Sequence, residues 1–178
     1  MSKSGLLLTC TAAIGIGLIV SAPLPTSNLL EDIATANHEQ PVVPRPKPAP
    51  AILEYVSLLN EERFERGLSP LWLDPKLTSS AQAKSEHLVD EDYWSHIAPD
   101  GTTPWSFIKR SGYKYSKAGE NLARCYDSPE ETVQAWVDSP THLANITDAF
   151  EEVGFGIADR GDGCTVVTSH FGKPGIDA

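Results

Sequence analysis

The chain is short of basic residues. It has 14 Lys+Arg against 24 Asp+Glu, a formal net charge of −10. Residues 51–178 hold 11 basic and 21 acidic side chains, so the whole excess lies there. A nucleic-acid partner needs a basic face and is excluded. Anionic lipid headgroups are excluded for the same reason. Cysteine is also scarce, at three residues. There is no His-Glu-x-x-His and no paired-Cys spacing, so no local zinc pattern exists. Gly-x-Ser-x-Gly, a phosphate-binding glycine loop and internal repeats are all missing. Spacing alone therefore names no reaction.

What is present is enough for one domain. A hydrophobic content of 40%, with four Trp and five Phe, excludes a disordered chain. A length of 178 residues allows one ordinary domain. Part of it is set aside at the N-terminus. Lys3 precedes Gly5–Ala22, a stretch without charge, which is the layout of an export signal. Eighteen helical residues at about 1.5 Å each would also cross a bilayer, so residues 1–22 read as a signal peptide or a membrane anchor. Val20-Ser21-Ala22 and Ala34-Thr35-Ala36 are the two candidate cleavage sites. Residues 23–50 carry Pro41, Pro44, Pro46, Pro48 and Pro50 and read as an extended Pro-rich linker. Residues 51–178 are the folding unit, placed outside the cytoplasm. Cys10 lies in the apolar run, which leaves Cys125 and Cys164 as an even pair in an exported domain. They read as a disulfide, stabilising by about 4 kcal/mol in the chain-entropy picture. A nucleophilic Cys125 is the alternative.

Periodicity and caps place the elements. Ala51–Arg66 reads as a helix, with Ile52, Val56 and Leu59 in one stripe widened by Leu53 and Tyr55, and Gly67 as its stop. Asp74–Asp90 is a second helix, with Asp74 as N-cap, Pro75 in the first turn and Leu77, Ala81, Lys84 and Leu88 in phase. Thr103-Pro104 opens a third helix through Arg110. Ser128-Pro129-Glu130-Glu131 is a capping box that starts a fourth through Asp138. Ser139-Pro140 starts a fifth over 140–147. Strands are expected only in the second half, over 118–124, Val153–Ile157 and Thr165–Phe171. In Val153–Ile157 glycine alternates with large residues, so one face is packed and the other invites close approach. Helices first and a local sheet afterwards argue for an α+β fold in layers.

Several motifs follow in order: Tyr93-Trp94-Ser95-His96, Pro99-Asp100-Gly101, Gly112-Tyr113, Gly119-Glu120-Asn121-Leu122-Ala123, then Trp136 through Ile146 with Ser139-Pro140-Thr141-His142 inside, and Val153-Gly154-Phe155-Gly156. Over residues 53–172 this resembles the CAP superfamily (cysteine-rich secretory proteins, antigen 5 and pathogenesis-related 1), in its bacterial SCP-like extracellular branch. The resemblance implies an α-β-α sandwich with a small antiparallel sheet. It also implies a cleft formed by His96, Glu120 and His142. The position where animal and plant members carry a second Glu is Ser139 here. Asp138, Glu151 and Glu152 are the nearby acidic candidates.

Two imidazoles and a carboxylate would suit Zn²⁺ or Cu²⁺ rather than Ca²⁺. The same groups could act as acid and base without metal, or Glu120 could simply orient a His. Two functions remain. One is an extracellular binding module for a lipid, cell-wall component or protein, whose cleft could take a divalent metal such as Zn. The other is a hydrolase acting on peptides or cell-wall material. Neither Ser95 nor Ser139 reads as a nucleophile. His87 lies outside the motifs, His170 reads as an ordinary edge residue of the last strand, and Asn145 heads a glycosylation sequon at a position the resemblance makes structural.

Overall fold

The computed structural model describes residues 49–176. The expected export segment, Cys10 and the linker up to residue 48 lie outside the described residues. Among the described residues there are five helices: α1 (Pro50–Glu65), α2 (Pro75–Asp90), α3 (Pro104–Arg110), α4 (Pro129–Val137) and α5 (Pro140–Thr147). Each begins with proline at its first position, where the missing N–H would have no intrahelical partner anyway. Asp74 caps α2 by accepting from the backbone N–H groups of Lys76 and Leu77, both at 2.8 Å. Ser128 caps α4 at the Glu131 N–H, 3.2 Å. Glu131 reaches back one residue further than a capping box requires, to the Asp127 N–H at 3.1 Å. Ser139 occupies the N-cap position of α5, but its hydroxyl turns to Thr141 and caps nothing.

Four strands form one sheet in the order β1-β3-β4-β2: β1 (Trp72–Leu73), β2 (Tyr115–Arg124), β3 (Glu152–Asp159) and β4 (Thr165–Pro174). The three long strands pair antiparallel, as expected. Strand β1 was not expected. Its two residues pair parallel with β3, which makes the sheet mixed, and a two-residue strand leaves no period to read. Strand β4 is central, not an edge.

The sheet separates two helical layers. On one face Ile52, Tyr55, Leu59, Trp136 and Ile146 pack with Phe155 and Phe171. Leu53, expected on the stripe of α1, is exposed, and the stripe instead continues to Arg63. The Arg63 guanidinium is buried and donates to the carbonyls of Ser69, Ile146 and Asp148. Burial and a nearby Asp148 charge act on it in opposite senses, with burial dominant and the pKa lowered.

On the other face α2 lies directly on β3. A Cβ at Gly154 would sit 2.1 Å from the Leu77–Thr78 peptide, and one at Gly156 would sit 2.2 Å from the Ala81 carbonyl carbon. Those contacts are with helix backbone, which cannot swing aside. The bare glycine face thus sets how closely α2 approaches the sheet.

The disulfide joins Cys125, just past β2, to Cys164, just before β4, with Cα atoms 4.4 Å apart. Its partners are neighbours because β2 and β4 pair up to Arg124–Val166 and the Cys125 N–H donates to the Thr165 carbonyl.

Gly156→Ala is expected to lower unfolding free energy by about 3 kcal/mol or more, the severe end of overpacking. Urea denaturation checks this. A change within experimental error would show that α2 can lift without cost.

Candidate functional site

The site is built around the strand β2 triplet Gly119-Glu120-Asn121, and each member does a different job. Gly119 is bare because the Phe150 ring and the Asn145 side-chain oxygen would stand 2.9 and 3.0 Å from a Cβ. Glu120 and Asn121 then point to opposite faces, as alternation requires. Asn121 is fully buried and donates to the His142 carbonyl at 3.1 Å, holding the first turns of α5. Asn145 donates to the Asn121 side-chain oxygen at 2.8 Å and to the Glu120 carbonyl at 3.1 Å. Its amide is committed to structure, which sets aside the glycosylation reading.

Glu120 lies on the α2 face with only 2% of its side chain exposed. Both oxygens accept from imidazoles: Oε1 from His96 Nδ1 at 2.6 Å, and Oε2 from His170 Nε2 at 2.9 Å. Burial alone would raise its pKa. The bonds from His170 and His96, helped by the charges of His170 and Lys84, outweigh burial and hold the carboxyl below its ordinary value. His170 stands directly across from Glu120 in the β2–β4 register, and Gly154 lies across from His170 in β3. It is wholly buried, so the reading of His170 as an ordinary edge residue is corrected. Its Nδ1 is 2.6 Å from the Ser80 hydroxyl on α2, which also reaches the Leu77 carbonyl at 3.0 Å. Ser80 has one proton to give. Given to Leu77, it leaves His170 donating from both nitrogens as a cation. Given to His170, it leaves the ring neutral.

Lys84, one turn after Ser80, is also wholly buried. It donates to the Tyr93 hydroxyl at 3.0 Å and to the Ser95 and His96 carbonyls at 3.0 and 2.8 Å. All three of its protons are used to fasten the segment that carries His96. Burial lowers the Lys84 pKa against the opposing pull of Glu120. Tyr93 is pushed up to about 12 by burial first and the Glu120 charge second. His87, outside the motifs, bonds Tyr93 through Nδ1 at 3.0 Å.

With Nδ1 turned to Glu120, His96 presents its other nitrogen outward, and 55% of its side chain is exposed. It lines a cleft of about 450 Å³ with Glu120, Asn145, Ile97, Pro104 and Trp105. His142, at the start of α5, has a buried Nδ1 without a hydrogen-bond partner. Its pKa is lowered, chiefly by burial and then by the charge of His96. His142 is not among the residues that line the cleft, so the structure brings His96 and Glu120 together there but not His142. The acidic candidates do not join them. Asp138 turns outward to accept from Gln134, Glu151 pairs with Lys173 on the surface, and Glu152 accepts from Tyr113. Among the described residues no group of three His, Cys, Asp or Glu side chains is arranged to hold a metal ion.

Comparison with known proteins bears on the fold. The CAP family, described as the cysteine-rich secretory protein family, matches residues 56–171. The chain belongs to that family. This CAP domain is 40% identical over 107 residues to the uncharacterized protein YkwD of Bacillus subtilis, covering 60% of this chain and 42% of that one. It is 25% identical over 105 residues to the uncharacterized membrane protein YlbC of the same organism, covering 58% and 30%. The matched region therefore spans less than half of either relative. An extracellular SCP-domain protein from Bacillus anthracis superposes with a TM-score of 0.64 at 25% identity, covering 69% of this chain and 40% of the other. An outer surface protein of Borrelia burgdorferi shares the fold, with a TM-score of 0.63 at 24% identity, covering 69% and 91%.

The buried network fixes the order of two substitutions. His170→Phe leaves Oε2 of a buried carboxylate unpaired and should cost about 3 kcal/mol, while His170→Gln, which keeps a donor, should cost clearly less. Chemical denaturation of both variants checks the order. For His142 the sign is set by its lowered pKa: the folded state binds fewer protons than the unfolded one. Stability should therefore decline as pH falls below about 6.5, its ordinary value, and His142→Phe should flatten that decline. Melting curves across pH with chelator present measure it, and parallel slopes for the two proteins would contradict it.

Proposed function

We propose that this CAP domain is an extracellular binding module that engages its ligand in the cleft at His96. The observation that carries this reading is the state of Glu120. Both of its oxygens serve imidazoles, so the carboxylate orients rather than attacks. The Ser80–His170–Glu120 series has the composition of a nucleophilic triad, yet Ser80 is 1% exposed and cannot meet a substrate. Export is supported by the extracellular and outer-surface descriptions of structural relatives and by the disulfide. No helix among the described residues is long and apolar enough to cross a membrane.

A divalent ion such as Zn²⁺ would have two of the three expected residues as ligands, His96 and His142. The unpartnered nitrogen of His142 and the outward nitrogen of His96 suit a metal, and Glu120 stands behind His96 as an orienting carboxylate. Bound there, zinc would supply Lewis acidity and a coordination point for a ligand oxygen. Calorimetric zinc titration should show binding weakened about tenfold or more in His96→Ala and His142→Ala, and less in Glu120→Gln. Identical isotherms for all four proteins would end the metal reading.

A hydrolase is the second reading. His96 backed by Glu120 is a general-base dyad with its outer nitrogen exposed to water. Incubation with peptidoglycan and with peptides, with and without zinc, tests it. Turnover abolished by His96→Ala would favour hydrolysis over binding alone.

A further inference from the structure

We infer that the cleft takes a neutral pyranose ring, stacked on Trp105 and hydrogen-bonded at His96. This rests on the binding-module reading above and names the ligand class for the same cleft. The cleft has a mixed lining. Ile97, Pro104 and Trp105 are apolar, and His96, Glu120 and Asn145 are polar. Its volume, about 450 Å³, falls within the range of small-molecule clefts.

Charge narrows the choice. The folding unit carries the full formal charge of −10, and the lining includes an ionised Glu120, so an anion is disfavoured. A cationic ligand finds no free carboxylate, because both Glu120 oxygens are engaged. A peptide adding to the edge of β2 would need its outward carbonyls. The Glu120 carbonyl already accepts from Asn145 and the Leu122 carbonyl from Trp136. What remains is an uncharged molecule with one apolar face and several hydroxyls, which describes a sugar ring.

Trp105 is the platform. It sits in the first turn of α3 and is 38% exposed. Among the described residues no aromatic ring or cation packs on it, whereas the exposed Trp94 already has the Arg124 guanidinium 4.7 Å over its ring. The exposed part of the indole, beside these polar residues, offers an apolar surface to the C–H face of a sugar, whose hydroxyls meet the outward nitrogen of His96 in the metal-free protein.

The test uses the full-length protein with two neutral probes, the β-1,4-linked tetramers of glucose and of N-acetylglucosamine. Tryptophan fluorescence and calorimetry should show saturable binding of at least one. Trp105→Ala should weaken it about tenfold or more, Trp105→Phe should restore part of it, and Trp72→Ala, an exposed tryptophan on β1 outside the cleft, should leave it unchanged. Unaltered binding in Trp105→Ala, or no binding of either tetramer at millimolar concentration, overturns the inference. If instead a neutral hexapeptide binds and His96→Ala abolishes it, the sugar inference falls while the binding-module reading stands. Shortened oligosaccharides in the chromatogram would overturn the binding-only reading itself.

Discussion

The rest of this structure is arranged around one ionised carboxylate kept out of water. Burying Glu120 without partners would cost several kcal/mol, or the group would simply take up a proton. Neither occurs, because two imidazoles donate to it and a lysine lies within electrostatic reach. Each compensating group comes from a different element. His170 arrives by strand register, His96 by a loop, and Lys84 from α2. The fold is the device that brings them to one place.

That arrangement makes demands on the helix above the sheet. Ser80 and Lys84 lie one turn apart on α2, so both reach the same face only if the helix lies flat and close. Gly154 and Gly156 allow this, since side chains there would enter the helix backbone. Lys84 then uses its three protons on the Tyr93–His96 segment. A buried cation is tolerable on an apolar stripe because it fastens the loop that delivers His96. The glycines, the lysine and the exposed imidazole are therefore parts of one mechanical unit, although they are far apart in sequence.

Much of this could be read from residues in order. The starts of α2 to α5 were legible because each has a local cap or proline, whereas Pro50, which opens α1, read as the end of the linker, and the alternation in Val153–Ile157 revealed the bare face of β3. Lys84 was legible as an inward position because it keeps phase with Leu77, Ala81 and Leu88. What escaped depends on register. Nothing near His170 marks it, and its partner is 50 residues away. The one available signal was phase: His170 shares a face with Val166 and Thr168 on the last strand, and that strand is paired on both sides. Strand β1 escaped because it is two residues long, and the outward turn of Asp138 because a partner one helical turn earlier, Gln134, captures it.

The missing second acid also has a physical explanation. Where the family resemblance expects a Glu, this chain has Ser139, and none of the nearby acids enters the cleft. A lone carboxylate needs neutralising from below if the outer ring is to stay free for a ligand. His170 does this from the sheet side, leaving His96 to face solvent. Of the chain Ser80–His170–Glu120–His96, only His96 is open to water. The buried charge therefore reaches solvent through one ring nitrogen. On the proposed binding reading, a site connected in that way would hold a hydrogen-bonding ligand in a fixed orientation, with the carboxylate acting at one remove.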